Sequence, residues 1–365
     1  MKTWQFLKQN PEFWGRYFAK EIGIKSIRQF FENKQFHELE SPILSPKLPQ
    51  ERYINVIETK PVFFHENDTL YIIPTTERYN KIGLCAGLGN HFVISRVARG
   101  SEQIGRNHEI EFTMLEWYEL NKNYFDLMNH CEELILRVKK SIDNYFSSSP
   151  SHNGVALCLP SQNFCIGCEI QVDEHKVSLE RNWNKFDVVE LFREYAGIDL
   201  ASFEHTLNEI IRRSSDFGLN FEGVKDFQEA FELIFDKIID PKLDKSKPYF
   251  LYRYPKIMAP LAKPDKSGMF AEKFELYIAG KEIANGYTEL VDSEELEKNF
   301  FLESKARTKL GLPPIKFDNE LVEAIRLGMP DVAGIGMGID RLIMVLTGCT
   351  KISEVNIFPS SEWFE

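Results

Sequence analysis

Gly334-Ile335-Gly336-Met337-Gly338-Ile339-Asp340-Arg341 runs directly into Leu342-Ile343-Met344-Val345-Leu346. Three alternating glycines let the backbone itself approach a ligand, and the apolar stretch predicts a helix with Arg341 in its first turn. An arginine so placed can hold a phosphate by bidentate hydrogen bonds. The spacing also excludes. A dinucleotide fingerprint needs a third glycine at position 339, and a Walker loop needs Gly-Lys-Ser/Thr, so both of those nucleotide folds are disfavoured. The run reads as a glycine-rich turn that leads into the last helix.

Two strand-loop-strand patterns come before it. Phe92 to Arg99 and Glu111 to Tyr118 read as strands joined by the polar stretch 100 to 110. Alternation puts Phe112, Met114, Glu116 and Tyr118 on one face. The loop supplies Arg106 and His108, Arg99 closes the first strand, and cations beside a long loop suit a triphosphate. In the second pattern, Phe274 to Leu290, Glu275 and Glu282 flank a two-residue turn. Opposed residues in such a hairpin have numbers that sum to an odd value, so the two carboxylates share a face. Oxygen ligands on one face suit Mg²⁺. Simple alternation sends Asn285, Tyr287 and Glu289 to the other face, so one pocket for all five requires a bulge between Glu282 and Asn285, beside Gly286.

The rest of the chain frames these patterns. Apolar spacing predicts a helix over 18 to 33, then an extended segment from Phe36 to Leu44 that Pro42 confines to a sheet edge or an interface. From Leu120, the positions Tyr124, Leu127, Met128, Cys131, Leu134, Ile135 and Val138 predict a long amphipathic helix. A turn-rich stretch at 147 to 154 opens an inserted region ending near Gly268, with helices near 186 to 196, 204 to 213 and 226 to 239. Further helices follow near 293 to 310 and 318 to 328. The organisation is a catalytic domain in two parts, 1 to 146 and 269 to 365, around an insertion at 147 to 268. Within the insertion, His152, Cys158, Cys165, Cys168 and His175 offer a zinc set. That set lacks a second clear cysteine pair, and Val155 to Leu159 reads as a strand in which Cys158 fills core.

Composition narrows the function. Forty-four basic and 55 acidic residues give a net charge of −11 over 365 residues, so attraction to a phosphate backbone is not a property of the whole surface. No secretory signal or membrane span is legible, which predicts a cytoplasmic protein with reduced thiols.

The helix and strand ending at Pro42, the pair of strands carrying Arg99 and Glu111-Phe112-Thr113-Met114-Leu115-Glu116, and Gly336-Met337-Gly338-Ile339-Asp340-Arg341 resemble motifs 1, 2 and 3 of the class II aminoacyl-tRNA synthetases, in that order. Glu111 to Tyr118 and Glu282 to Leu290 are similar to the lysyl branch, and especially to its truncated paralogues, the elongation factor P β-lysine ligases. The resemblance covers about residues 20 to 140 and 248 to 360. It implies an α+β fold, with an antiparallel sheet of six or seven strands flanked by helices, and a homodimer formed through motif 1. It also implies aminoacyl-adenylate formation from ATP with Mg²⁺.

By resemblance, Arg99 and Arg341 are the catalytic phosphate binders. Phe112 stacks on adenine, with His108 and Glu102 in the ATP site, and Glu275 and Glu282 hold Mg²⁺. Glu77, Glu116, Tyr118, Asn285, Tyr287, Glu289 and Gly336 form the amino-acid pocket. Carboxylates are natural partners for the two ammonium groups of a lysine-type substrate.

Fewer than 20 residues precede the first helix, too few for the roughly 50 of an anticodon-reading OB-fold. With the acidic charge, this points to a protein acceptor, a lysine of elongation factor P, rather than tRNA. The alternatives are an enzyme acting on tRNA or a free small molecule, and a catalytically silent binding paralogue. Three positions depart from the pattern. Arg99-Gly100-Ser101-Glu102 is one residue longer than the usual Arg-Asn-Glu. Pro74-Thr75-Thr76-Glu77 replaces Thr-Ser-Pro-Glu. Gly336 stands where the ligases have alanine and the tRNA synthetases have glycine, which leaves α-lysine as a possible substrate.

Overall fold

The structure is a computed structural model that describes residues 1–60, 69–100, 104–312 and 316–363. Its centre is an eight-stranded sheet. In chain order the strands are β1 (His37–Glu38), β2 (His91–Ala98), β3 (Glu111–Leu120), β4 (Asn184–Asp187), β5 (Tyr249–Pro255), β6 (Phe270–Ile278), β7 (Lys281–Thr288) and β8 (Val332–Gly338). In space they run β1-β2-β3-β8-β7-β6-β5-β4. The six inner strands are antiparallel, and the short β1 and β4 pair parallel at the two edges. The antiparallel core thus has the expected size, and parallel edge strands extend it. Both β4 and β5 come from the 147–268 stretch.

The glycine run is a central strand rather than a turn. β8 lies between β3 and β7, and only from Ile339 does the chain become helical. Alternating glycines conceal a strand in sequence because they supply no side-chain periodicity, although two neighbouring strands hold the segment extended.

Period-two alternation then separates two faces. One cross-strand row, Leu276, Ala284, Met337 and Leu115, is wholly apolar and buried. The next row, Glu275, Asn285, Gly336 and Glu116, is polar and points the other way. Beneath the apolar face lie α1 (Gly15–Asn33), α3 (Tyr124–Ser147) and α6 (Ile339–Leu346). Trp117, Phe92, Phe31 and Leu134 meet there without solvent exposure, each contributing roughly 1.5–3 kcal/mol. Gly286 lies on this face, where a Cβ would come within 2.8 Å of the Phe274 ring.

On the polar side stand α2 (Glu77–Cys85), α4 (Ser293–Lys309) and α5 (Asn319–Gly328). Asn123 caps α3 by accepting from the Phe125 amide, and Asp292 caps α4 by accepting from those of Glu294 and Glu295. The turn between β6 and β7 is Ala279-Gly280, with φ of 51° and 73°, as a two-residue hairpin requires. Tyr277 pairs with Glu282 while Leu276 pairs with Ala284, so Ile283 is an extra residue. This is the bulge that one shared pocket demanded, and it turns Glu282 onto the same face as Asn285.

Among the described residues, no three His, Cys, Asp or Glu side chains converge as metal ligands. Cys158 and Cys168 are exposed, so Cys158 is not core filling. His152 packs its ring against Phe18 and Trp14 instead. Among the described residues, no helix is long and apolar enough to cross a membrane.

Candidate active site

A cavity of about 360 Å³ opens over the polar face. Its floor is β8, where Gly334, Gly336 and Gly338 leave the main chain bare. At Gly334 this bareness is obligatory, because a Cβ would lie 2.4 Å from both Glu289 Oε1 and the Tyr118 ring. At Gly336 a Cβ would have ordinary contacts of 3.8 Å with Met114 Sδ and 3.9 Å with Glu116 Cγ.

One end of the cavity is acidic. Glu116 on β3 is buried, and its Oε1 accepts from the Thr75 hydroxyl at 2.6 Å and the Thr76 amide at 2.7 Å. Its Oε2 accepts from Asn80 Nδ2 at 3.0 Å. Burial pushes its carboxyl above the usual range, and these bonds work against the rise. Glu77 opens α2, where its Oε1 accepts from the Tyr287 hydroxyl at 2.5 Å. Glu289, just past β7, is 1% exposed, and Lys81 Nζ lies 2.8 Å from its Oε2 and 2.5 Å from Glu77 Oε1. Glu289 Oε1 and Asn285 Oδ1 are buried acceptors with no donor among the described residues. Burial pushes Glu289 up to about 8, although the Lys81 ammonium pulls the other way. Tyr118 is stacked on the His91 ring, with centroids 5.4 Å apart.

The other end is cationic. Arg99 follows β2, and its guanidinium lies 5.4 Å over the Phe112 ring. Among the described residues, Arg341 donates to main-chain carbonyls alone, to Glu282 O at 2.5 Å and to Asn107 O at 3.3 Å. His108 lines the same end. Glu275 and Glu282 face this end from the bulged hairpin. Burial works against the Glu275 charge, but Lys273 at 2.8 Å and the hydroxyls of Tyr254 and Tyr277 at 2.7 and 2.9 Å hold its carboxyl below the usual range. Burial and the nearby Glu275 push Glu282 up to about 7, so it would gain from a cation. A pair with one satisfied and one strained carboxylate fits Mg²⁺, which takes one or two protein carboxylates and fills its shell with phosphate and water.

Most of the expected site residues therefore line one cavity: Arg99, His108, Phe112, Arg341, Glu77, Glu116, Tyr118, Asn285, Tyr287, Glu289, Gly336 and Glu282. Glu275 stands beside them on the sheet face, and Glu102 lies outside the described residues. Sequence reasoning missed Lys81, the Thr75-Thr76-Asn80 cradle, Lys273 and Glu51. Glu51 lines the cavity from a loop that Arg307 fixes by donating to the carbonyls of Arg52 and Ile54 at 2.9 and 3.1 Å. Lys81 had a signal, its spacing of four from Glu77 on a helix.

Residues 16–362 match the family model for class II tRNA synthetases (D, K and N). The chain is 30% identical to the elongation factor P (R)-β-lysine ligase of Haemophilus influenzae over 338 residues, 92% of each chain. It is 32% identical to lysine–tRNA ligase 2 of Methanosarcina mazei over 341 residues, 92% of this chain and 60% of that one. It is also 32% identical to the lysine–tRNA ligase of Buchnera aphidicola over 345 residues, 93% of this chain and 62% of that one.

Proposed function

Because the chain belongs to the class II tRNA synthetase family, we propose that it activates a lysine-type amino acid, (R)-β-lysine, with ATP and transfers it to a lysine side chain of elongation factor P. The observation that carries this reading is the pair of buried, donorless acceptors, Glu289 Oε1 and Asn285 Oδ1, at the acidic end of a cavity whose other end presents Arg99 and Arg341. Unpaired buried acceptors are costly, and an ammonium group supplies what they lack. The relatives named as ligases, matched over 92% of each chain, agree with it.

In this reading Phe112 stacks on the adenine of ATP, Arg99 binds phosphate oxygens, and Arg341 exchanges its carbonyl partners for phosphate oxygens. Glu275 and Glu282 would hold Mg²⁺, which neutralises phosphate charge when bound. Glu289 and Glu116 orient the substrate ammonium groups, so its carboxylate attacks the α-phosphate in line and pyrophosphate leaves. Arg99 and Arg341 stabilise the charge on the phosphoryl oxygens during this step. The neutral amine of the acceptor lysine then attacks the acyl carbon, AMP departs, and the amine gives up a proton as the amide forms. Ile43 is 58% exposed and Leu44 38% exposed, an apolar edge that suits the homodimer assigned to motif 1.

One observation favours a second substrate, α-lysine. Gly336 leaves open space beside Met114 and Glu116, at the position where the resemblance gives the ligases alanine, and this reshapes the pocket. The test is ATP–pyrophosphate exchange with α-lysine and both isomers of β-lysine, followed by label transfer to elongation factor P or to bulk tRNA. Exchange with (R)-β-lysine and label on the protein is the expected result. Label on tRNA alone contradicts the acceptor, and no exchange with any isomer contradicts the activation step.

A further inference from the structure

A segment with no part in the proposed chemistry reaches the phosphate end of the cavity. Glu169–Val172 and His175–Ser178 form a small antiparallel hairpin, with Asp173 in its turn at φ 50°. The turn is braced by Gln171 Nε2, which donates to the Asp173 carbonyl at 2.7 Å. Asp173 Oδ1 lies 2.9 Å from Arg106 Nη2, and its Oδ2 lies 2.9 Å from Lys281 Nζ. These cations come from two other parts of the chain: Arg106 from the loop between β2 and β3, and Lys281 from the start of β7, next to Glu282.

The contacts continue inward. Lys281 Nζ donates to Asn107 Oδ1 at 3.3 Å, and the Asn107 carbonyl accepts from Arg341. On its other side the loop is held by main chain, with the Ile352 amide donating to the Arg106 carbonyl at 2.8 Å. Asn107 and His108 line the cavity, whereas Arg106 and Lys281 stand behind them. The Asp173 carboxylate therefore holds the loop from outside rather than standing in for a phosphate. Lys281 is 14% exposed and Asp173 21%, so that contact is screened less than a surface pair, whereas Arg106 is 60% exposed and its contact is screened as a surface pair is.

We propose that Asp173 is a positioning residue for ATP: by clamping Arg106 and Lys281 it sets Asn107 and His108 against the nucleotide, and it makes the 169–178 hairpin a working part of the ATP site. The inference rests on the proposed ATP-dependent activation and adds to it a task for the 147–268 stretch. Loss of the clamp, one half-buried pair to Lys281 and one exposed pair to Arg106, weakens ATP by about two- to five-fold, the scale of such pairs.

The test is equilibrium titration of the full chain with Mg·ATP, comparing Asp173→Asn, Arg106→Gln and the double variant, with amide exchange over 104–109 and thermal melting as companion readouts. Asp173→Asn keeps the side-chain shape. It should weaken ATP as stated and speed exchange in the loop, while lysine-isomer affinity and melting stay unchanged. The double variant should lose no more than the worse single variant, because both remove the same contact, and Asp173→Glu should recover part of the loss. Unchanged ATP affinity in Asp173→Asn, equal loss of both substrates, or additive losses overturn the inference and leave the proposed function standing. If Asp173→Asn melts early, Arg106→Gln decides alone, and unchanged loop exchange in it overturns the clamp. A wild-type chain that binds no Mg·ATP removes the proposed function, and the inference with it.

Discussion

The two ends of the cavity are built in opposite ways. At the acidic end the carboxylates already have internal partners: Glu116 is held by Thr75, Thr76 and Asn80, and one oxygen of Glu289 by Lys81. At the cationic end, among the described residues, Arg341 donates to main-chain carbonyls alone, and its neighbouring loop is secured by Asp173 and Ile352. The first end is preorganised, since its charges were desolvated and paired when the chain folded. The second is poised, because carbonyl partners yield to a phosphate at little cost. Removing a group from the first end should therefore disturb the protein as well as its ligand, whereas a loss at the second should fall on the reaction.

Arg341→Ala tests the poised end and has the largest expected effect. Pyrophosphate exchange should drop by roughly 10²–10³-fold, the cost of losing a preorganised contact to developing charge, while the melting temperature changes little. An early melt would show that Arg341 is structural and would dissolve the contrast.

At the preorganised end, Glu289→Gln should raise the amino-acid KM by about 10²-fold, within the range for truncating one member of a buried charge pair, with ATP KM nearly unchanged. It should also lower stability, because Lys81 loses one of its two carboxylates. Equal losses for both substrates would place Glu289 outside the amino-acid end.

The titration of Glu289 sharpens the contrast further. Burial pushes its carboxyl up to about 8, and an ammonium group binds the ionised form. Amino-acid affinity should therefore rise by about ten-fold per pH unit as pH approaches 8 from below, and level off above it. Glu289→Gln should flatten that limb of the profile. A steep limb that persists in the variant would assign the titration to another group, with Glu282 at about 7 the first to test.

The smallest effect compares two glycines on one strand. Gly334→Ala should cripple amino-acid binding, because its Cβ would collide with Glu289 and Tyr118. Gly336→Ala has room at 3.8 Å and should change the ratio of α-lysine to β-lysine use by less than about ten-fold. Similar damage from both would mean that β8 is a floor under strain rather than a selectivity surface. Exchange assays with each isomer give the comparison directly.

Much of the poised end was legible from residue types and spacing. A local pattern suffices for Arg99, Phe112 and Arg341, because each sits at the end of a strand or the start of a helix whose periodicity is strong. The β6–β7 hairpin and the need for a bulge beside Gly286 followed from parity, since a strand cannot place Glu282 and Asn285 on one face without an extra residue. The preorganised end was only half legible. Glu116 and Glu289 were visible as carboxylates on or beside strands, but their partners Thr75, Thr76, Asn80 and Lys81 lie 36 or more residues away in sequence from Glu116 or 208 from Glu289, on a short helix and the two residues before it.

The sequence by itself determined most of the elements, the chemistry of the residues they carry and the family, because periodicity, turn residues and motif spacing are local properties. Only the tertiary structure decided that the glycine run is a strand, that Lys81 reaches Glu289, and that Asp173 reaches Arg106 and Lys281. Each of those depends on which distant segments become neighbours. Burial then turns ordinary carboxylates into partners whose charge and proton depend on what stands beside them.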